Sequence, residues 1–145
     1  MNRGRDSTER LKLDPHFTPC PVEYNDELRP NGIFEFNITR MLDWIAANPD
    51  AIALVDLDVD DSSTAFSEIN ESHVDSVDIS RPGILAEIAP GQYGLIDGNH
   101  RAEKARRLGV ATIPAYRLSM RQHLPFLTSK RAYLAYVEYW NGKLR

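Results

Sequence analysis

The residues best suited to chemistry lie in one short run, Asp97-Gly98-Asn99-His100-Arg101, with Lys104 about one helical turn beyond Arg101. A glycine lets the backbone approach a ligand closely, and a strand-to-helix junction leaves the first amides of the helix unpaired at the positive end of its dipole. Such a junction binds anions well. Gly98 and Asn99 would form the cradle, and His100, Arg101 and Lys104 would donate to phosphate oxygens. Phosphoryl transfer also needs a group to orient or deprotonate the accepting hydroxyl, so Asp97, His100 and Glu87 are the candidate catalytic residues. Each has an architectural reading as well. Asp97 can cap the helix, His100 can pack on a strand, Arg101 can pair with an acid, and Glu87 can face solvent opposite Tyr93 or Leu95.

These residues need elements to hold them. Gly83–Ala89 and Tyr93–Asp97, separated by Pro90-Gly91, read as strand, turn, strand. After Gly98, the segment 99–108 reads as a helix with Ala102, Ala105 and Leu108 toward a core and Gly109 as its stop. Val110–Leu118 reads as a further strand, Ser119–Leu124 as a capped helical turn, and Thr128–Asn141 as a closing helix. Upstream, residues 37–48 place Ile38, Met41, Leu42 and Ile45 on one helical face, with Asn37 or Thr39 as cap. In Ile52–Asp60, Val55, Leu57 and Val59 alternate with Asp56, Asp58 and Asp60, the two-residue period of a half-buried strand. The expected organisation is a flexible leader over 1–14 and a single α+β domain over 15–145. Its core spans about 52–124, built on a small mixed sheet with surrounding helices.

Other groups carry less chemistry. Asp56, Asp58 and Asp60 share a strand face, but successive same-face residues on a straight strand stand ~6.8 Å apart, too far for one cation without a bend. No metal site is assigned. The architectural reading is an edge strand whose acids discourage pairing with other chains. Tyr133, Tyr136, Tyr139 and Trp140 fall at helical spacing, as expected of a face that docks rather than one that stacks bases. Cys20, the single cysteine, sits between two prolines with no activating base in view and reads as structural. His16 and His123 are isolated, and His73 lies among acids that can pair with it.

The chain has 145 residues, 42% hydrophobic and 26% charged, which fits one packed domain and excludes collagen-like or largely disordered classes. No run approaches the ~18 apolar residues of a membrane span, and the charged N-terminus has no signal-like core, so a cytoplasmic protein without a membrane partner is expected. The net charge of −4 argues against nonspecific duplex binding. It conceals an asymmetry. From Met41 to Ser80 there are ten acids and no Lys or Arg, whereas Asp97 to Arg131 holds eight bases against two acids. The two blocks can attract each other across the fold.

The run Leu95–Tyr116, with Asp97-Gly98-Asn99-His100-Arg101, an alanine-containing helix, Leu108-Gly109 and then Ile113-Pro114, resembles the ParB/sulfiredoxin superfamily. The order of elements agrees over roughly 52–124. The resemblance implies a small mixed domain that holds nucleotide phosphates on Gly98, Asn99, His100 and Arg101. Asn99 stands where sulfiredoxins carry their reactive cysteine, which argues against sulfinic acid reduction. The stretch from Ser119 to Arg145 is too short for the helix-turn-helix and dimerisation parts of partition proteins, which argues against specific DNA binding. The Asp-Gly-x-His-Arg loop is most similar to that of free-serine kinases. A nucleotide (ATP, ADP or CTP) with magnesium, and a small hydroxylated acceptor, are therefore the expected partners of a phosphotransferase or NTPase. A ParB-like nuclease, or a DNA-associated module using nucleotide as a switch, is the alternative.

Overall fold

A computed structural model describes residues 9–31, 34–60 and 69–144. In chain order the elements are β1 (Leu28–Asn31), β2 (Phe34–Asn37), α1 (Ile38–Ala47), β3 (Ala53–Asp58), α2 (Glu71–Val74) and β4 (Gly83–Ala89). They continue with β5 (Gln92–Asp97), α3 (Asn99–Arg107), β6 (Thr112–Leu118), α4 (Met120–His123) and α5 (Lys130–Lys143). The fold is α+β. Its main sheet has the order β3-β6-β4-β5, with β4 and β6 parallel and the two outer pairings antiparallel, and β1 and β2 form a separate antiparallel pair.

The sheet is covered on both faces, which explains why β4 is buried along nearly its whole length rather than alternating with solvent. Ile84 and Ala86 of β4 and Ile96 of β5 pack on one side with Phe36, Ile38, Met41, Leu118, Tyr136 and Trp140. Leu85 and Leu95 point the other way, toward Leu57, Ala102, Ala105, Ile113 and Ala115. Ala102 and Ala105 let α3 lie close on the sheet. Leu108, expected in the core, is 61% exposed. Three-residue steps on a 3.6-residue helix drift by about 60° each, so the third member of the Ala102, Ala105, Leu108 series has rotated off the sheet.

Asn37 caps α1, its side-chain oxygen accepting from the Arg40 amide at 3.1 Å. Ser129 caps α5 through the Ala132 amide, and Gln122 reaches back to the Ser119 amide to begin α4. Gly91 and Gly109 take the left-handed conformation at the hairpin turn and at the end of α3. β3 is an edge strand, with Leu57 buried inward and Asp56 and Asp58 exposed. Cys20 is buried, its thiol pushed up by desolvation, and its amide donates to Leu127. Tyr133, Tyr136 and Trp140 of α5 are buried, and Tyr139 is 42% exposed.

Three features depart from the sequence reading. The leader expected over 1–14 divides: residues 1–8 lie outside the described residues, while 9–14 run along α5. Trp140 donates to the Glu9 carbonyl, Asn141 both accepts from the Leu11 amide and donates to its carbonyl, and Tyr133 accepts from the Asp14 amide. These polar residues have no period because side chains of α5, not a strand or helix of their own, satisfy their backbone. Second, the sequence reading passed over three elements too short to carry a period: β1 and β2 have four residues each. α2 is a single turn capped by Asn70, too short to show a period.

His123 is the third departure. Far from isolated, it is fully buried beneath Phe36 and Tyr136. Its Nε2 lies 2.6 Å from the Glu87 carbonyl, which also accepts from the Tyr136 hydroxyl at 2.5 Å, and its Nδ1 has no partner among the described residues. A carbonyl accepts only, so Nε2 carries the proton of the neutral ring and Nδ1 is the bare nitrogen. Desolvation, partly opposed by the Glu87 carbonyl and carboxylate, lowers its pKa to about 4. The unfolded chain then binds this proton at higher pH than the fold does, so stability is present above 6.5 and is lost as pH falls toward 4. The loss should reach about 3 kcal/mol by pH 4. Urea unfolding of wild type and His123→Leu at several pH values checks this, the variant showing a flatter acid limb while Tyr136 still serves the Glu87 carbonyl.

Candidate functional site

Residue Ile84 of β4 stands opposite Asp97 of β5, so the start of one strand and the end of the other meet beside the first turn of α3. The backbones here are too close for side chains. A Cβ on Gly83 would sit 2.6 Å from the Asp97 carbonyl oxygen, and one on Gly98 would sit 3.1 Å from the Gly83 Cα. Gly98 also has φ +111°, a left-handed conformation that favours glycine. Both glycines are therefore needed to pass the chain from strand to helix at this spot.

The turn fixes Asp97 beneath two guanidinium groups. Arg101 Nη2 donates to Oδ2 at 3.2 Å and Arg29 Nη2, from β1, donates to Oδ1 at 3.2 Å. Arg29 also pairs with Glu27. Arg101 is 8% exposed, and its Nε, like that of Arg29, is buried without a partner among the described residues. His100 points its ring toward α2. Its Nε2 accepts from the Asn70 amide at 2.9 Å, and its ring meets that of His73 edge to face at 5.6 Å. Burial first, then His73, Arg29 and Arg101, lower the His100 pKa from its ordinary value, so the ring is neutral at physiological pH with Nδ1 as its donor.

These groups enclose a cleft of about 470 Å3, lined by Arg29, His73, Arg81, Asp97, Gly98, His100 and Arg101 with Glu27, Leu42, Asn70 and Val77. The amides of Asn99, His100 and Arg101 open α3 and lack i−4 carbonyls inside the helix. Three arginines against two carboxylates, behind a helix N-terminus, make a site for an anion with several oxygens. Other cavities are larger. One of about 830 Å3 lies beneath residues 9–18 against α4 and α5, where Met120 and Val137 line it. The cleft beside Gly98 gathers the residues of the sequence motif.

The structure thus brings together Asp97, Gly98, His100 and Arg101, and separates three others from them. Asn99 turns back, its side-chain amide donating to the Leu95 carbonyl. Lys104 donates to the carbonyls of Asp75 and Val77 at 2.9 and 2.8 Å, tying the segment after α2 onto α3. Glu87 is neither in the cleft nor facing solvent: it is 2% exposed, and its carboxylate accepts from the amides of Met120 and Gly91. Both sequence readings of Glu87 fail because the sheet is covered on the side where alternation left it open.

Sequence reasoning missed Arg29, His73 and Arg81. Arg81 was within reach, because the residues just ahead of the first strand of an antiparallel hairpin must lie beside the end of the second. Arg29 and His73 arrive from segments with no period or motif. Asp97 has both oxygens engaged by arginines, and among the described residues no three His, Cys, Asp or Glu side chains gather to hold a metal. The cleft residues do not form a carboxylate cage for magnesium. Comparison with protein-family models, with curated proteins and with solved structures finds no match.

Asp97→Asn removes the anion between the buried guanidinium of Arg101 and the half-buried one of Arg29. It should destabilise the fold by about 3 kcal/mol, the lower end of what breaking a buried pair costs. Denaturant unfolding checks the loss, which should exceed that of Glu103→Gln, whose salt bridges with Arg106 and Arg107 lie on the partly exposed outer side of α3.

Proposed function

We propose that the cleft beside Gly98 binds the phosphates of a nucleotide. The observation that carries this reading is the convergence of Arg29, Arg81 and Arg101 on the N-terminus of α3, where left-handed Gly98 lines the cleft. The phosphates would replace water around charges that Asp97 and Glu27 only partly balance. The run Asp97–Arg101 and its similarity to ParB/sulfiredoxin loops support the same ligand class. Magnesium would be held chiefly by the phosphates, as is usual for this hydrated ion.

Phosphoryl transfer to a small hydroxylated acceptor is the reaction such a cradle best serves, since positioning and charge neutralisation are most of what that chemistry requires. Asp97 then acts mainly by holding Arg29 and Arg101 in place, a positioning role. His100, neutral in the free protein, is the remaining candidate for handling the acceptor proton. Glu87, fastened to α4 and the hairpin turn, supports the sheet.

Calorimetric titration of ATP, ADP, CTP and GTP with magnesium tests the reading. Binding of at least one nucleotide is expected, weakened roughly tenfold by Arg81→Ala, the loss of one charge-assisted hydrogen bond. Arg81 is exposed, so this variant keeps the fold. Arg101→Ala should weaken binding further. Absence of heat with every nucleotide would overturn the proposal. Nucleotide consumption that depends on a hydroxylated small molecule distinguishes a phosphotransferase from a nucleotide-operated switch, and magnesium-dependent loss of DNA would favour the nuclease alternative.

A further inference from the structure

One wall of the cleft lies apart from the main sheet, β1, α1 and α3. It is the segment from Asn70 through α2 to Val77, and it is tethered to α3 in three ways. Lys104 holds the carbonyls of Asp75 and Val77, and Arg107 makes a two-pronged pair with Glu71 at 2.8 Å to each oxygen. The Glu71 and Glu103 carboxylates hold the Arg107 pKa above its ordinary value, so the Glu71 tether keeps its cation. The third is the bond from the Asn70 amide to His100 Nε2. This one fails when His100 gains a proton, because an imidazolium has two N–H donors and no acceptor.

Asn70 is also the residue that begins α2. Its side chain accepts from the Ser72 amide and hydroxyl, so loss of the His100 bond releases the Asn70 amide while Arg107 still holds Glu71 and Lys104 the far end of the segment. His73, one turn into the segment, lines the cleft and carries its ring against His100. The charged and titratable groups facing His100 across the cleft are His73 from α2, Glu27 and Arg29 at β1, Arg81 ahead of β4, Asp97 from β5 and Arg101 on its own helix. Cations dominate, and they oppose a further positive charge. A bound dianion would reverse that balance.

We propose that His100 is a proton-operated latch on the cleft: an anion bound beside Gly98 draws a proton onto His100, which then drops the Asn70 amide and loosens the wall at that residue. The coupling rests on the phosphate-site reading, whereas the latch itself does not. Linkage requires the reverse effect as well, so anion affinity rises as pH is lowered toward the titration of free His100, which lies below the ordinary 6.5 of imidazole. The protonated ring would be repelled by the arginines in the empty cleft and would donate to phosphate oxygens in the filled one.

Nuclear magnetic resonance on the full chain separates the two parts. In sodium chloride, the His100 and His73 rings and the hydrogen exchange of the Asn70 amide are followed from pH 8 to 5. Protection of that amide, corrected for intrinsic exchange, should fall at least about tenfold with the His100 midpoint, while the Lys104-tethered end of the segment is unchanged. His100→Gln, which cannot titrate, should show no such step. A protected Asn70 amide beside a protonated His100, or a step that follows His73 instead, would overturn the latch. Sodium sulfate at matched ionic strength, a tetrahedral dianion that does not titrate in this range, should raise the His100 midpoint by about one pH unit, a tenfold coupling. If sulfate perturbs the amides of Gly98–Arg101 without moving the His100 midpoint, the site binds anions and the coupling is overturned. If sulfate moves neither, the phosphate-site reading fails while the first result still decides the latch.

Discussion

Two glycines and one carboxylate fix the geometry on which the cleft depends. Gly83 and Gly98 let the start of β4 and the end of β5 pass within a distance no side chain would tolerate, and this close passage sets Asp97 beneath Arg29 and Arg101. The guanidinium of Arg101 is buried there and that of Arg29 half-buried, so Asp97 matches their charge inside the protein. Because Arg29 comes from β1, the same carboxylate fastens the small β1–β2 pair to the edge of the main sheet. One residue thereby connects the strand-to-helix turn, the second sheet and the positive lining of the cleft.

A second carboxylate on the same hairpin does the opposite work. Glu87 is buried on β4, and its oxygens accept from the amides that begin α4 and turn the hairpin. Its backbone carbonyl meanwhile takes Tyr136 and the ring of His123. A buried carboxylate is tolerable only with such a full set of donors. Asp97 and Glu87 are therefore alike in chemistry and different in consequence: one faces a cleft and organises cations around it, the other closes the core where the last two helices join the sheet.

The acidic and basic blocks meet across α3. Arg107 holds Glu71, Arg106 reaches Asp60, and Lys104 takes backbone carbonyls rather than carboxylates. Exposed pairs of this kind contribute little stability each. Their geometric effect is larger, since they lay the segment around α2 against α3 and so give the cleft its outer wall. Among the described residues, charged side chains hold that wall except at His100, whose ring accepts from the Asn70 amide.

The sequence by itself determined the elements that carry a strong period and clear punctuation: the hairpin around Pro90-Gly91, α3 between Gly98 and Gly109, α1 behind Asn37, and the acidic edge strand β3. It also determined the kernel of the site, because Asp97 to Arg101 are contiguous and local geometry alone places a glycine turn before a helix. Tertiary structure decided what no local pattern encodes. Whether Glu87 met solvent or core depended on helices that arrive more than 30 residues later, and whether His123 was free or buried depended on Phe36 and Tyr136. Arg29 and His73 reached the cleft through β1 and α2, segments too short to show a period. Lys104 kept its place on the helix but found carbonyls of a distant segment instead of a ligand. Periodicity reports which face of an element is buried, whereas the partner of a polar side chain is set by the segment that folding brings opposite it.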